Sequence, residues 1–303
     1  MTYYDMPTIL LTASTRQCLG VAKQWVCNEL SRAEYVYVLS CHRHSRSKLF
    51  TRYGINTGCS VLGCHSHYIL RAITTEIMEI TSRQEAYEKI ENVLRRDPLD
   101  VVANAFKLSI TVEDLFALCE PKWVNDNIIN FYLQLICERN RKKQVANEPS
   151  FLKVAAVSTF FYHKLDSSGF PGVKRWTRQT NLFDQDLLLV PVHLGVHWCL
   201  AAVDIVNKCV SYYDSMHYRN ESCLHLLREF LAQESLDKRH EELQISEWQF
   251  KCIGDSPMQQ NGSDCGVFTC ITAEYLSRKA SLDFTQADMP YFRKRMMLEK
   301  LVC

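Results

Sequence analysis

Apolar positions recur with a clear period only from about residue 100 of this 303-residue chain. From Asn125 to Arg139, the apolar Ile128, Ile129, Phe131, Tyr132, Leu135 and Ile136 fall at helical spacing. Basic residues of RNRKKQ collect at its end, where a helix dipole favours them, so the stretch is predicted to be an amphipathic helix. VAAVSTFFYHKL carries both helix and strand signals, whereas QDLLLVPVHL is a short apolar run of strand length interrupted by Pro191. HWCLAAVDIV and KCVSYYDS are rich in β-branched and aromatic residues with Asn207-Lys208 between them, the pattern of a hairpin. ESCLHLLREFLAQES is predicted to be a helix with Leu224, Leu227 and Leu231 on one face. GVFTCITAEYLSRK is predicted to be a second, buried through Val267, Phe268, Ile271, Tyr275 and Leu276. This part of the chain reads as α+β, a small central sheet flanked by helices.

Residues 1–87 are weakly periodic and hold two Cys/His clusters, SCHRHS and GCSVLGCHSH. They are expected to form a poorly defined, partly disordered N-terminal extension, followed by a catalytic domain over 88–303; ITTEIMEITSRQEAYEKIENVLRR is predicted to lead into it as a helix. Cys41, His42, His44, Cys59, Cys64, His65 and His67 are zinc-type ligands, but their spacing is not that of a standard finger and no metal site is assigned.

Composition changes the picture mainly by exclusion. Lys and Arg total 35 against 34 for Asp and Glu, which argues against a general affinity for nucleic acid. RNRKKQ is a candidate import or nucleic-acid patch, although a solvated helix end is the favoured reading. The N-terminus has no basic n-region and only a short apolar run, so a secretory signal is not expected, and no run of apolar residues is long enough to span a membrane. On that reading the 14 cysteines are reduced thiols, most of them buried as small hydrophobes.

One cysteine stands apart. In QNGSDCGVF, residues 260–268, Asn261, Gly262, Ser263 and Asp264 favour turns and helix N-caps, which places Cys265 in the first turn of its helix. Unpaired N–H groups and the positive end of the dipole there favour a thiolate over a thiol, as a nucleophile needs. A capped core helix carrying an inert Cys fits the motif as well. A nucleophile needs a base and the base an orienter. His197 lies just before the first strand of the predicted hairpin and Asp214 at the end of the second, so the two meet across the ladder.

The runs KWVNDNIINFYLQLICER, GVKRWTRQTNLF, VPVHLGVHWCLAAVDI, YYDSM, QQNGSDCGVF and DFTQADMPYFRKRM, in this order over about residues 100–300, closely resemble the sentrin/SUMO-specific cysteine proteases of the ubiquitin-like-protein protease family. The resemblance implies a papain-like fold with His197 as general base and acid, Asp214 as its orienter, Cys265 as nucleophile and Gln259 as oxyanion donor. The chain reads PMQQNG where PQQMNG is commoner, which makes Gln260 the less favoured claimant. It further implies that Trp123 and Trp198 wall a tunnel for a Gly-Gly tail, and that Asp126, Phe160, Arg175 and His193 face the modifier. Val124 stands where Leu is usual and Asn127 where an acid is usual, both beside the tunnel. The implied activity is cleavage after the C-terminal Gly-Gly of SUMO, from lysine isopeptide conjugates and from its precursor, without metal or organic cofactor. The implied partners are SUMO and SUMO-conjugated proteins, with no nucleic acid and no membrane. The protein is expected to be monomeric and nuclear, with a cytoplasmic share. A same-fold protease for another ubiquitin-like modifier, or a catalytically silent SUMO-binding module, is the alternative.

Overall fold

The computed structural model describes residues 85–148, 151–178 and 181–301. The chain divides into units Met1–Lys89 and Ile90–Cys303, and the second holds the elements below. Residues 85–94 are helical, the described part of the helix predicted to lead into the domain; the two Cys/His clusters lie outside the described residues.

A two-stranded antiparallel hairpin, β1 (Val101–Ala105) and β2 (Leu108–Thr111), opens the domain. Thr111 then caps the short α1 (Val112–Phe116) in a capping box with Asp114. The helix predicted from the Ile128 periodicity is α2, Asp126–Val145, with Asn125 as N-cap accepting from the Ile128 N–H. It outruns the predicted end, so the basic run lies within its last turns. Leu133, outside the predicted face, is buried, and Leu135 is only half-buried. Arg141 and Lys142 pair with Glu138, and Lys143 with Glu148, so these three cations are engaged along the helix end.

The main sheet has five strands in the order β3-β4-β5-β6-β7: Val154–Ala156, Leu187–His193, Trp198–Asp204, Cys209–Tyr213 and Gln249–Ile253. The outer pairs are parallel and the inner pairs antiparallel. VAAVSTFFYHKL resolves into both of its signals, β3 and then α3 (Phe161–Val173). Pro191 is tolerated within β4 because the parallel partner ends at Ala156↔Leu189, leaving Pro191 opposite Leu200 alone. The β5–β6 loop is longer than the predicted two residues. Asp204 pairs with Cys209, and the Asp204 carboxylate accepts from the Asn207 backbone and side-chain N–H groups to close a four-residue turn.

Helices cover both sheet faces, which is why β4 and β5 read as continuous apolar runs rather than alternating ones. On one face Leu188, Val190, Val192, Cys199, Ala201, Val203, Val210 and Tyr212 pack with α3 and with α4 (Glu221–Arg239). Leu224, Leu227 and Leu231 of α4 are buried there, on the face predicted for them. On the other face α5 (Cys265–Ser277) lies on β5 and against α2, and α6 (Met289–Leu301) follows it. Among the described residues no helix is long and apolar enough to cross a membrane.

Candidate active site

Strand register explains the first cluster. Leu200 pairs with Tyr213, so continuing one step sets Cys199 opposite Asp214, with His197 two positions beyond Cys199. The predicted meeting of His197 and Asp214 therefore takes place on the diagonal: His197 Nε2 lies 2.7 Å from Asp214 Oδ1. Asp214 is 1% exposed, and Oδ1 also accepts from the Met216 N–H at 2.7 Å. Oδ2 is buried without a hydrogen bond of ordinary geometry. The thiol facing the pair is that of Cys199: the ligand-type atoms of His197, Cys199 and Asp214 all lie within 4.8 Å of one another. This is a donor set a metal ion accepts, but His197 Nε2 and Asp214 Oδ1 are already satisfied by each other. No feature of the sequence had singled out Cys199; counting register back from Asp204↔Cys209 finds it.

Electrostatics follow from this geometry. Hydrogen bonding to Asp214, then to the Cys199 and Cys265 thiols, raises His197 from its ordinary range to about 12. Burial pushes the Asp214 carboxyl up, but the bonds from His197 and from the Met216 N–H outweigh it and hold the group below its usual range. Burial raises the Cys199 thiol. The imidazolium is thus the stable form of His197 at neutral pH, and Nδ1 is the nitrogen not spent on Asp214.

Cys265 is the first residue of α5 and 3% exposed. The turn-forming residues ahead of it act among themselves: Asn261 Oδ1 accepts from the N–H groups of Ser263 and Asp264, at 3.0 and 3.1 Å. The N-cap is Asp264, yet its carboxylate makes no cap bond to the helix. Gln259 is buried, its N–H donating to the carbonyl oxygen of Ser215 at 2.8 Å and its Oε1 accepting from the Ser215 hydroxyl at 2.6 Å. Its Nε2 donates to Asn261 O at 2.6 Å, leaving the second amide hydrogen free. Gln260 is exposed, and its N–H donates to Gln286 Oε1 at 2.8 Å. Of the two glutamines, Gln259 is the one anchored to the residue after Asp214.

The tryptophans differ. Trp198 begins β5, is 8% exposed and donates its indole N–H to Val124 O at 3.1 Å, next to Trp123, which is 53% exposed. The His193 ring stacks on Trp198 with centroids 4.1 Å apart. Between them the turn closes through Leu194 N–H to His197 O at 2.8 Å, with Gly195 at φ 83°, a conformation that favours glycine. Asp126 stands in the first turn of α2, two residues after Val124. Asn127 donates to Asp114 Oδ1 at 3.1 Å beside Asn125 at 2.8 Å, so the acid usual at 127 would face the Asp114 carboxylate here. Phe160 is 60% exposed ahead of α3, on a segment tied to α2 by a reciprocal pair of Thr159–Asn130 hydrogen bonds, each 2.9 Å. Arg175 is exposed just after α3. No hydrogen bond or ring contact joins Phe160 or Arg175 to the His197–Cys265 cluster among the described residues.

A thiol at an uncapped helix start, a histidine held by a buried carboxylate, and a spare amide N–H are together the groups that cysteine-nucleophile chemistry requires, set on an α+β scaffold. Comparison with known proteins takes this further: residues 122–303 match the Ulp1 protease family, C-terminal catalytic domain, and the chain belongs to that family. It is 45% identical over 203 residues to a sentrin-specific protease of Caenorhabditis elegans, covering 67% of this chain and 28% of that protein. It is 42% identical over 231 residues to human sentrin-specific protease 2, covering 75% of this chain and 38% of that protein. The chain thus spans well under half the length of these curated relatives. Among solved structures it resembles the C-terminal Ulp1 protease domain in complex with Smt3, the yeast ortholog of SUMO. The TM-score there is 0.63 at 27% identity, over 72% of this chain and 94% of that one. The catalytic domain of the Chaetomium thermophilum Ulp1-like SUMO protease gives a TM-score of 0.64 at 28% identity, over 72% and 88%.

Proposed function

We propose that this protein is a SUMO-specific cysteine protease that cleaves after the modifier's C-terminal Gly-Gly, releasing it from lysine conjugates and trimming its precursor. The observation that carries the reading is the line Asp214–His197–Cys265 at the head of α5, beside a Trp198 tied by its indole to the chain at Trp123. The names of the relatives and the Smt3 complex of the yeast domain support SUMO as the modifier.

The Gly-Gly tail enters between Trp123 and Trp198, where only residues without side chains fit. The Cys265 thiolate attacks the carbonyl carbon of the second Gly, and the carbonyl π electrons move to oxygen. Gln259 Nε2–H and the N–H groups opening α5 receive that oxyanion. As the C–N bond breaks, the amine takes a proton from His197 Nδ1 and leaves, and a thioester to Cys265 remains. Neutral His197 then takes a proton from water as its oxygen attacks the thioester; the C–S bond breaks, and the acid and the Cys265 thiolate are regenerated. Asp214 holds the ring and its charge throughout. Asp126, Phe160, Arg175 and His193 contact the modifier's globular body in this reading. Nuclear residence, with a cytoplasmic share, belongs to the same proposal and is checked by imaging the tagged protein.

SUMO bearing a C-terminal electrophile, presented beside ubiquitin and other modifiers treated alike, tests the reading. The expected result is covalent capture of SUMO at Cys265. Cys265→Ala is expected to abolish capture and cleavage while SUMO still binds. Capture of ubiquitin alone, or reversible SUMO binding with no adduct on the native protein, would overturn it.

A further inference from the structure

Asp264 is the residue on which the head of α5 is organised, and its carboxylate is used in an unexpected way. An Asp at an N-cap ordinarily accepts from the N–H of the second or third helical residue. Here the carboxylate turns away and is 2% exposed. Its Oδ1 accepts from Arg293 Nε at 2.8 Å and lies 2.6 Å from Arg293 Nη2. Its Oδ2 accepts from Asn261 Nδ2 at 2.7 Å and Gln286 Nε2 at 2.6 Å. Arg293, on α6, is 1% exposed. The rest of its guanidinium donates to Lys122 O at 2.9 Å, Ser263 O at 3.1 Å and Ala117 O at 3.3 Å. Lys122 immediately precedes Trp123, so one side chain ties the tunnel wall to the nucleophile's loop.

We propose that Arg293 is a positioning residue for catalysis: it withholds the Asp264 carboxylate from the first-turn N–H groups of α5 and leaves them for the substrate oxyanion and the Cys265 thiolate. Without Arg293, the donors left to Asp264 are the two side-chain amides already bonded to its Oδ2, and a freed Oδ1 is an acceptor for the N–H groups of Gly266 and Val267, the second and third helical residues that an N-cap Asp ordinarily caps. Capping them would place a negative charge against the helix end that has to receive another. The contact to Lys122 O is a separate leg, acting on where Trp123 stands and therefore on substrate binding.

The inference rests on the cysteine-protease reading and makes the two legs separable. Arg293→Met is expected to lower kcat for a SUMO C-terminal amide by about 100- to 1,000-fold, the range for loss of one oxyanion donor, and to slow iodoacetamide alkylation of Cys265 at neutral pH. Asp264→Ala/Arg293→Met removes the competing carboxylate together with its partner. It should regain about ten-fold or more of the lost kcat and the alkylation rate, while KM stays raised because Lys122 O has lost its donor. Arg293→Lys keeps a charge for Asp264 and should lie between wild type and Arg293→Met. Should Arg293→Met fail to fold, the double variant alone decides: a folded protein within about ten-fold of wild-type kcat supports the proposal. A folded double variant as slow as or slower than Arg293→Met, in both kcat and alkylation, overturns it. Failure of wild type to process SUMO would instead sink the substrate reading, since alkylation of Cys265 needs no substrate.

Discussion

The two oxygens of Asp214 lead different lives, and the difference sets the pH behaviour of the site. Oδ1 binds His197 and the Met216 N–H; Oδ2 is buried without a hydrogen bond of ordinary geometry, and the Cys199 thiol lies within 4.8 Å of the pair. Because the folded pKa of His197 is raised, its proton is retained as pH climbs through neutrality and is lost only near the folded value of about 12. An imidazolium that persists keeps the general acid of the proposed mechanism charged, so the alkaline limb of kcat/KM should lie well above pH 8. Asp214→Asn removes the largest cause of that shift. The limb should move down toward the ordinary histidine range of about 6.5, with kcat near neutrality falling by about 10⁴; an unmoved limb in the pH–rate profile would show that Asp214 does not set the charge. Cys199→Ala removes the thiol beside the buried Asp214 carboxylate and should cost about 1–3 kcal/mol of stability in urea unfolding, with Cys199→Ser closer to wild type. Both alterations leaving unfolding unchanged would mean the thiol is a bystander. His197 and Asp214 could be paired from sequence because a hairpin carries its own ruler. Cys199 escaped because it sits inside a run, WCLAAVD, that reads as pure core.

At the scale of the element, α5 was legible as buried but not as to how completely. Its predicted face is buried at Val267, Phe268 and Ile271, whereas Tyr275 and Leu276 are half-buried and Glu274 and Ser277 are buried in their place. The helix lies on β5 and against α2, α6 and the Val124 segment, so no side of it is plainly solvent. Periodicity sees an apolar stripe; it cannot see a polar residue buried because distant partners satisfy it. Gly266 shows how tight the fit is at the catalytic end. A Cβ there would stand 2.8 Å from Val124 Cβ and 3.5 Å from Trp198 Cδ1. Val124 is fixed because its carbonyl accepts the Trp198 indole N–H. Gly266→Ala should therefore push the segment carrying Trp123 outward, costing about 1–3 kcal/mol and raising KM more than it lowers Tm. Adding Val124→Gly, which removes the Cβ that the new methyl meets, should restore KM; a Gly266→Ala enzyme with unaltered KM would show that this segment does not form the substrate wall.

Across the whole molecule, α5 is held at both ends by buried charge, and α6 supplies an arginine to each. At the head, Arg293 meets Asp264. At the tail, Glu274 accepts from Arg139 of α2 at 2.6 Å and from Arg278 at 3.0 Å, with Arg295 of α6 at 3.8 Å. Arg139 also donates to Ser277 Oγ at 2.6 Å. The partners are 135 residues apart in the case of Arg139 and Glu274, beyond the reach of any local pattern, and RNRKKQ accordingly read as a solvated or nucleic-acid-binding end rather than as a clamp. The two clamps should differ in consequence. Three cations at a helix C-terminus complement its dipole and join α2, α5 and α6, but none of them touches the catalytic head. Glu274→Gln keeps the shape and removes the charge, leaving three half-buried arginines facing one another. It should destabilise the domain by about 3 kcal/mol, the range for breaking a buried pair, seen as a lower urea midpoint at unchanged m-value. Below the onset of unfolding, kcat/KM per folded molecule should match wild type. A Glu274→Gln protein of normal stability but impaired kcat would mean that the tail of α5 reports to its head. The separation of a stability clamp from a catalytic one would then fail.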